Sequence, residues 1–230
     1  LAQSGYETYY MHNYRPSFFN RSIVKPALGF QHTFFLDSVD PHHDAGSWPV
    51  NDRQLFDFAA SKLSTMKEPF SLVMLTVATH GGYGTKTLSP VEDYTDRASM
   101  ALKNINSFIH TTAKDFPNTT FVIIGDHKPA LTEYFTEVGI LPSENFLEKR
   151  ETYGRVPMVI ISKDNSFSTD TNLKTSMPSY CLSSIFWGTF LTELPSTYHT
   201  TVEACDIYLK SDAAEADKSF QVGIYNYLLF

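Results

Sequence analysis

No apolar run in this chain of 230 residues approaches the roughly 20 residues that a membrane-spanning helix needs, and no signal peptide is present. Cysteine is scarce. Cys181 and Cys205 are the only two, and one disulfide or two buried thiols fit them equally. Positive charge is also in short supply: 18 Lys and Arg stand against 25 Asp and Glu, for a net charge of −7. That balance leaves no general basic field for a phosphate backbone and excludes a nucleic-acid partner. There is no internal repeat, low-complexity tract or interdomain linker. The chain opens on Leu1 rather than Met and is expected to be a piece of a longer protein. The missing anchor and leader then say little about where the parent works.

What is present is apolar and aromatic. With 42% hydrophobic and 14% aromatic residues, the chain can bury a sizeable core as one domain. The most informative stretch is residues 119–127, TTFVIIGDH. Its β-favouring run has no polar alternation, which predicts a strand buried on both faces of a parallel sheet. The run stops at Gly125, and Asp126 and His127 follow at once. Ligands of open α/β sheets bind outside the carboxyl ends of the strands. A carboxylate beside an imidazole there suits a divalent cation such as Mn, Mg or Zn.

Other strands are predicted at residues 5–12 (GYETYYMH), 29–36 (GFQHTFFL), 70–77 (FSLVMLTV) and 157–162 (PMVIIS). Residues 13–21 read as a loop or short helical turn. Residues 37–44 (DSVDPHHD) carry three Asp and two His, but without fixed ligand spacing they read as a solvated loop. A helix capped by Asn51 or Asp52 is predicted to run to about Lys67, burying Leu55, Phe56, Ala59, Leu63 and Met66. A longer one, from Pro90 or Val91 to Lys114, should bury Tyr94, Ala98, Ala101, Ile105, Phe108 and Thr112. A further apolar helix is expected within residues 177–191. His80 follows a predicted strand and precedes two glycines, which makes it a second candidate for chemistry. Alternating strands and helices predict an α/β fold with a mainly parallel sheet and helices on both faces. His80 and Asp126 are expected at the same edge of that sheet.

Four ordered features resemble the sulfatase-like branch of the alkaline phosphatase superfamily, and within it the lipoteichoic acid synthase and phosphoglycerol transferase group. They are GYETYYMH at 5–12 with FFNR at 18–21 and LGF at 28–30; Trp48 with Asn51 and Asp52; the strand ending in Thr79 and His80; and VIIGDH at 122–127, with Arg155, Val156 and Pro157 opening a later strand. The resemblance covers most of residues 1–162. It implies an alkaline-phosphatase-like α/β fold, with residues 1–230 as the C-terminal portion of one extracellular catalytic domain. By resemblance, Asp126 and His127 are metal ligands, most readily for Mn, His80 is the active-site histidine, and His12 and Arg21 hold the glycerophosphate head group. The implied reaction moves phosphoglycerol from a lipid donor to a glycan or polymer acceptor. The implied parent is membrane-tethered and works on the extracellular or periplasmic face of the cell membrane.

This chain departs from the family pattern at Phe19, where relatives often carry Trp, and at Asn13, where they often carry Gly. The family's nucleophilic Thr and a further acidic ligand are expected upstream of Leu1. Thr76, Thr79 and Thr85 lie near His80, but none begins a helix that could cradle a phosphate. The fragment alone is therefore expected to be inactive. Two other readings remain open at this level: sulfate or phosphate ester hydrolysis or phosphoethanolamine transfer within the same superfamily, and a non-catalytic domain that binds glycan or lipid head groups.

Overall fold

The computed structural model describes residues 1–43, 52–139 and 156–163, together with Cys181 and Cys205. The expected helix within 177–191, the polar and aromatic segments after it, Trp48, Asn51 and Arg155 lie outside the described residues. The chain forms two compact units, one of Leu1–Asp115 with Pro129–Gly139 and one of Phe116–Lys128 with Ile140–Phe230.

The first unit holds a three-stranded sheet with strand order β2-β1-β3, built from β1 (Glu7–His12), β2 (His32–Phe34) and β3 (Phe70–Leu75). Both pairings are parallel. In register, Met11 lies beside Phe34 and Met74, and His12 lies beside Leu75. β1 is the buried strand of the sheet, from Thr8 through His12. Tyr10 and Met11 are almost fully enclosed, and burying side chains of this size is worth about 2–3 kcal/mol each.

Around the sheet lie α1 (Arg21–Ala27), the single turn α2 (Leu36–Val39), α3 (Arg53–Leu63) and α4 (Pro90–Asp115). A short α5 (Thr132–Glu137) follows in sequence after the second unit begins. Successive strand side chains point to opposite faces. Phe34, level with Met11, meets Phe58 of α3 at 5.5 Å between ring centroids. Tyr10 points the other way and carries the Lys25 ammonium of α1 over its ring at 4.6 Å. Helices therefore cover both faces, as expected for α/β.

The helical periodicities hold in part: α3 ends at Leu63 rather than near Lys67, and on α4 the predicted Tyr94, Ala98 and Ile105 are half-buried rather than buried. Leu55, Phe56, Ala59, Leu63 and Met66 are all buried, and α4 buries Ala101, Phe108 and Thr112. Phe56 and Phe108 join α3 to α4. α4 begins at a capping box: the Ser89 amide and hydroxyl both donate to Glu92 Oε2, and the Glu92 amide donates back to Ser89 Oγ. Pro90 takes the first helical position, where no amide donor is needed.

The second unit holds β4 (Phe121–Ile124) and β5 (Met158–Ile161), paired antiparallel with Phe121 opposite Ile161 and Ile124 opposite Met158. Four sequence expectations are corrected here. The partner of β4 among the described residues runs antiparallel, and β4 is half-buried rather than enclosed on both faces, with Ile124 exposed. β3 is likewise half-buried, with Val73 exposed. An apolar run reports β propensity and a need for cover. It does not encode the direction of the neighbouring strand or the elements that supply the cover. Residues 36–39, read as strand end and loop, instead form α2. Cys181 and Cys205 are joined as a disulfide, which resolves the alternative left open by the sequence.

Candidate functional site

His12 is the last residue of β1 and only 1% exposed. Its Nδ1 lies 2.8 Å from the Leu75 carbonyl, and its Nε2 lies 2.7 Å from Arg21 Nη1. A carbonyl can only accept and a guanidinium can only donate. Nδ1 therefore carries the proton, and Nε2 offers its lone pair to Arg21. Burial holds the imidazole neutral and pushes its pKa down to about 4, with Arg21 and Lys25 adding to the effect and the Leu75 bond opposing it.

Arg21 opens α1, and Lys25 is one turn on, so both cations face the side of the sheet that carries Tyr10 and His12. The Arg21 guanidinium packs over the rings of Phe18 and Phe19, at 5.2 and 5.5 Å. Among the described residues neither Arg21 nor Lys25 forms an ion pair with a carboxylate. Burial and then Arg21 lower the Lys25 pKa, as expected for two cations held together without a counterion. The backbone that delivers Arg21 is strained. Phe19 and Asn20 both adopt left-handed conformations, with φ of 55° and 51°.

Asp52 was expected to cap α3, but its side chain makes no cap hydrogen bond. It is instead fully buried and turns toward the strand ends. Oδ1 accepts from Asn13 Nδ2 at 3.1 Å and from the Val77 amide at 2.9 Å, and Oδ2 accepts from the Ala78 amide at 3.1 Å. One carboxylate thus ties the residue after His12 to the segment that leads to His80. Asn13, at a position where the family pattern has Gly, serves this link. Sequence reasoning missed the role because a helix-start Asp has a simpler local explanation. The Asp52 spacing carries no sign of its distant partners.

His80 is exposed, on the loop that leaves the carboxyl end of β3, and its amide closes a turn onto the Val77 carbonyl. The loop is held from α4. Arg97 donates to the carbonyls of His80 and Gly82, both at 3.4 Å, while pairing with the buried Asp93 at 2.7 Å. Asp93 also accepts from the Gly84 amide, and the Arg97 hydrogen bond holds its carboxyl below the usual range.

Asp126 and His127 follow β4 in the second unit, and both are exposed. Gly125 before them packs closely on β5's approach: a Cβ there would meet Pro157 Cδ at 3.2 Å, and the ring would have to give by a few tenths of an ångström. His127 Nδ1 lies 2.8 Å from the Lys128 carbonyl and must donate to it. The lone pair is therefore on Nε2, which lies 3.6 Å from Asp126 Oδ2. A carboxylate oxygen and a correctly oriented imidazole nitrogen so close together fit two ligands of a divalent cation. Among the described residues no group of three or more His, Cys, Asp or Glu could hold a metal ion. A cavity of about 290 Å³ between α3 and α4, lined by Arg53, Phe56, Asn104 and Phe108 among others, contains none of the expected site residues.

His12 ends β1 and His80 follows β3, so both stand at the carboxyl ends of parallel strands, where ligands of open α/β sheets bind. The sulfatase family model matches residues 1–179, and the chain belongs to that family. The capsular polysaccharide biosynthesis protein RkpI of Rhizobium meliloti is 27% identical over 168 residues, covering 69% of this chain and 29% of that protein. The lipoteichoic acid synthase-like YvgJ of Bacillus subtilis is 24% identical, covering 70% of this chain and 28% of YvgJ. Phosphoglycerol transferase I of Escherichia coli is 28% identical, covering 55% of this chain and 19% of that enzyme. The chain thus spans under a third of the length of these curated relatives. Among solved structures, a Vibrio parahaemolyticus protein in the alkaline phosphatase superfamily gives a TM-score of 0.52 at 19% identity, covering 71% of this chain and 40% of that one. The phosphoglycerol transferase GacH of Streptococcus pyogenes, solved with sn-glycerol-1-phosphate, gives 0.50 at 17% identity, covering 96% and 66%. These likenesses establish the alkaline-phosphatase-like α/β fold.

Proposed function

We propose that this chain is the C-terminal portion of a catalytic domain that moves a phosphoglycerol unit from a lipid donor to a glycan or polymer acceptor, on the extracellular or periplasmic face of a membrane. The observation that carries the reading is the pairing of neutral His12 with Arg21. His12 takes one N–H of the guanidinium and fixes its plane. The remaining donors of the fork are left for the oxygens of a phosphate, with no competing carboxylate among the described residues. Lys25 adds a second positive charge on the same face. His80, on a loop pinned by Arg97, is assigned to the phosphate or leaving-group oxygen. Asp126 and His127 are assigned to a divalent metal, for which Mn is favoured. A cation held there would stabilise negative charge on phosphoryl oxygens. The phosphoglycerol transferase among the matched relatives supports the transferred group, and the polysaccharide and lipoteichoic acid relatives beside it support a polymer acceptor.

The test is calorimetric titration with glycerol phosphate. Arg21→Lys is expected to weaken binding roughly tenfold, since a point charge cannot reproduce two parallel hydrogen bonds. Arg21→Ala should weaken it further. Unchanged affinity in Arg21→Ala would remove the head-group assignment.

A further inference from the structure

The chain has a net charge of −7, yet between Glu7 and Asp37 there is no Asp or Glu, while Arg15, Arg21 and Lys25 all fall in that interval. The same interval presents large apolar side chains to solvent. Phe19 is 75% exposed, Ile23 71%, Val24 42% and Leu28 67%. Ile23 and Val24 lie on α1, Phe19 precedes it and Leu28 caps its end. Apolar exposure elsewhere in the first unit has different company. Met100 and Leu102 on α4 are also exposed, but that helix is of mixed charge, with Glu92, Asp93, Asp96 and Asp115 against Arg97, Lys103 and Lys114.

We infer that α1 and its flanking residues form a docking surface for an anionic phospholipid bilayer. The exposed Phe19 ring lies 5.5 Å from the Arg21 guanidinium, and apolar side chains at the edge of a cation, with no acid in the interval, match the two layers of such a surface, negative head groups over hydrocarbon. The acidic remainder of the chain does not prevent approach, because charges beyond about 8–10 Å are screened at physiological salt. A second copy of the chain is a poorer occupant, because an interval without Asp or Glu offers no counter-charge to the same interval of a partner. The surface is continuous with Arg21, so it would hold the protein where lipid phosphates are within reach. The inference does not rest on the transfer reaction, because bilayer binding is read without turnover.

The experiment is co-sedimentation of the purified chain with vesicles of phosphatidylglycerol and phosphatidylcholine, against vesicles of phosphatidylcholine alone, in about 0.1 M salt. The chain is expected to sediment with the anionic vesicles only. Ile23→Ser with Leu28→Ser should reduce partitioning at least about tenfold, since it removes two large exposed apolar side chains from α1 and its end. Val24→Glu alone should reduce it as well, by placing an acid against the head groups. Met100→Ser with Leu102→Ser should leave it unchanged. Circular dichroism and sedimentation velocity accompany each variant. Partitioning that survives both α1 variants, falls equally in the α4 variant, or is equal on neutral vesicles overturns the inference. So does failure of the unsubstituted chain to bind, or a change from dimer to monomer in the α1 variants, which would make the patch a contact between copies.

Discussion

Replacing Asp52 by Ala tests whether one buried carboxylate holds the strand ends that carry His12 and His80. The substitution leaves three donors without their acceptor: the side-chain amide of Asn13 and the backbone amides of Val77 and Ala78. All three belong to buried residues, so water cannot replace the lost bonds without opening the structure. Each orphaned donor costs about 1–3 kcal/mol, and the terms are not additive. A total of about 3–5 kcal/mol is expected, comparable to removing one member of a buried charged pair. At roughly 2–4 °C per kcal/mol for a chain of this size, the melting midpoint should fall by about 10 °C. Asp52→Asn keeps one acceptor oxygen but turns an amide donor toward another donor, and should lose about half as much. The assays are thermal unfolding by circular dichroism and glycerol phosphate titration well below the midpoint. Binding should weaken in the folded Asp52→Ala protein, because His12 orients Arg21 and Asn13 is its immediate neighbour. A variant that melts within about 2 °C of the unsubstituted protein and binds glycerol phosphate equally would refute the linkage.

His12, with its pKa held near 4 by burial, should make the protein acid-sensitive. The unfolded chain takes up this proton near pH 6.5 and the folded chain only near 4, so stability falls as pH drops through that window, by about 3 kcal/mol in all. Urea unfolding from pH 7 to 4 should show the slope, and His12→Gln should flatten it. Asn20→Gly should raise stability by about 0.5–1 kcal/mol, since glycine accepts the left-handed conformation without strain, whereas Asn20→Val should lower it. Thermal melts of the two variants that moved in the same direction would contradict the strain argument. In the full-length protein, Asp126→Ala and His127→Ala should each weaken Mn binding by an order of magnitude or more and abolish lipid turnover. Mn affinity unchanged by both would move the metal elsewhere.

Much of the architecture was legible along the chain. The buried stripe of α3 was read residue for residue, because helical periodicity is a local contrast between core and solvent. The start of α4 was read at Pro90 or Val91, while the capping box of Ser89 and Glu92 that fixes it came from the structure. The ordered motifs around His12, Arg21, His80 and Asp126 pointed to the family before any coordinates. The alternation of Tyr10 and His12 on one face of β1 also follows from sequence alone, as does the acid-free interval between Glu7 and Asp37.

The tertiary structure decided everything that depends on a partner distant in sequence. Nothing local in Asp52 shows that its carboxylate turns from its own helix to Val77 and Ala78. Nothing in His12 shows that the Leu75 carbonyl selects its tautomer and leaves Nε2 for Arg21. The antiparallel pairing of β4 with β5 and the half-burial of both β3 and β4 are likewise properties of neighbours. Local pattern reports what each segment needs, an apolar face covered or a donor satisfied. Which distant group meets the need is set when the chain folds, by packing, register and the requirement that buried polar atoms find partners.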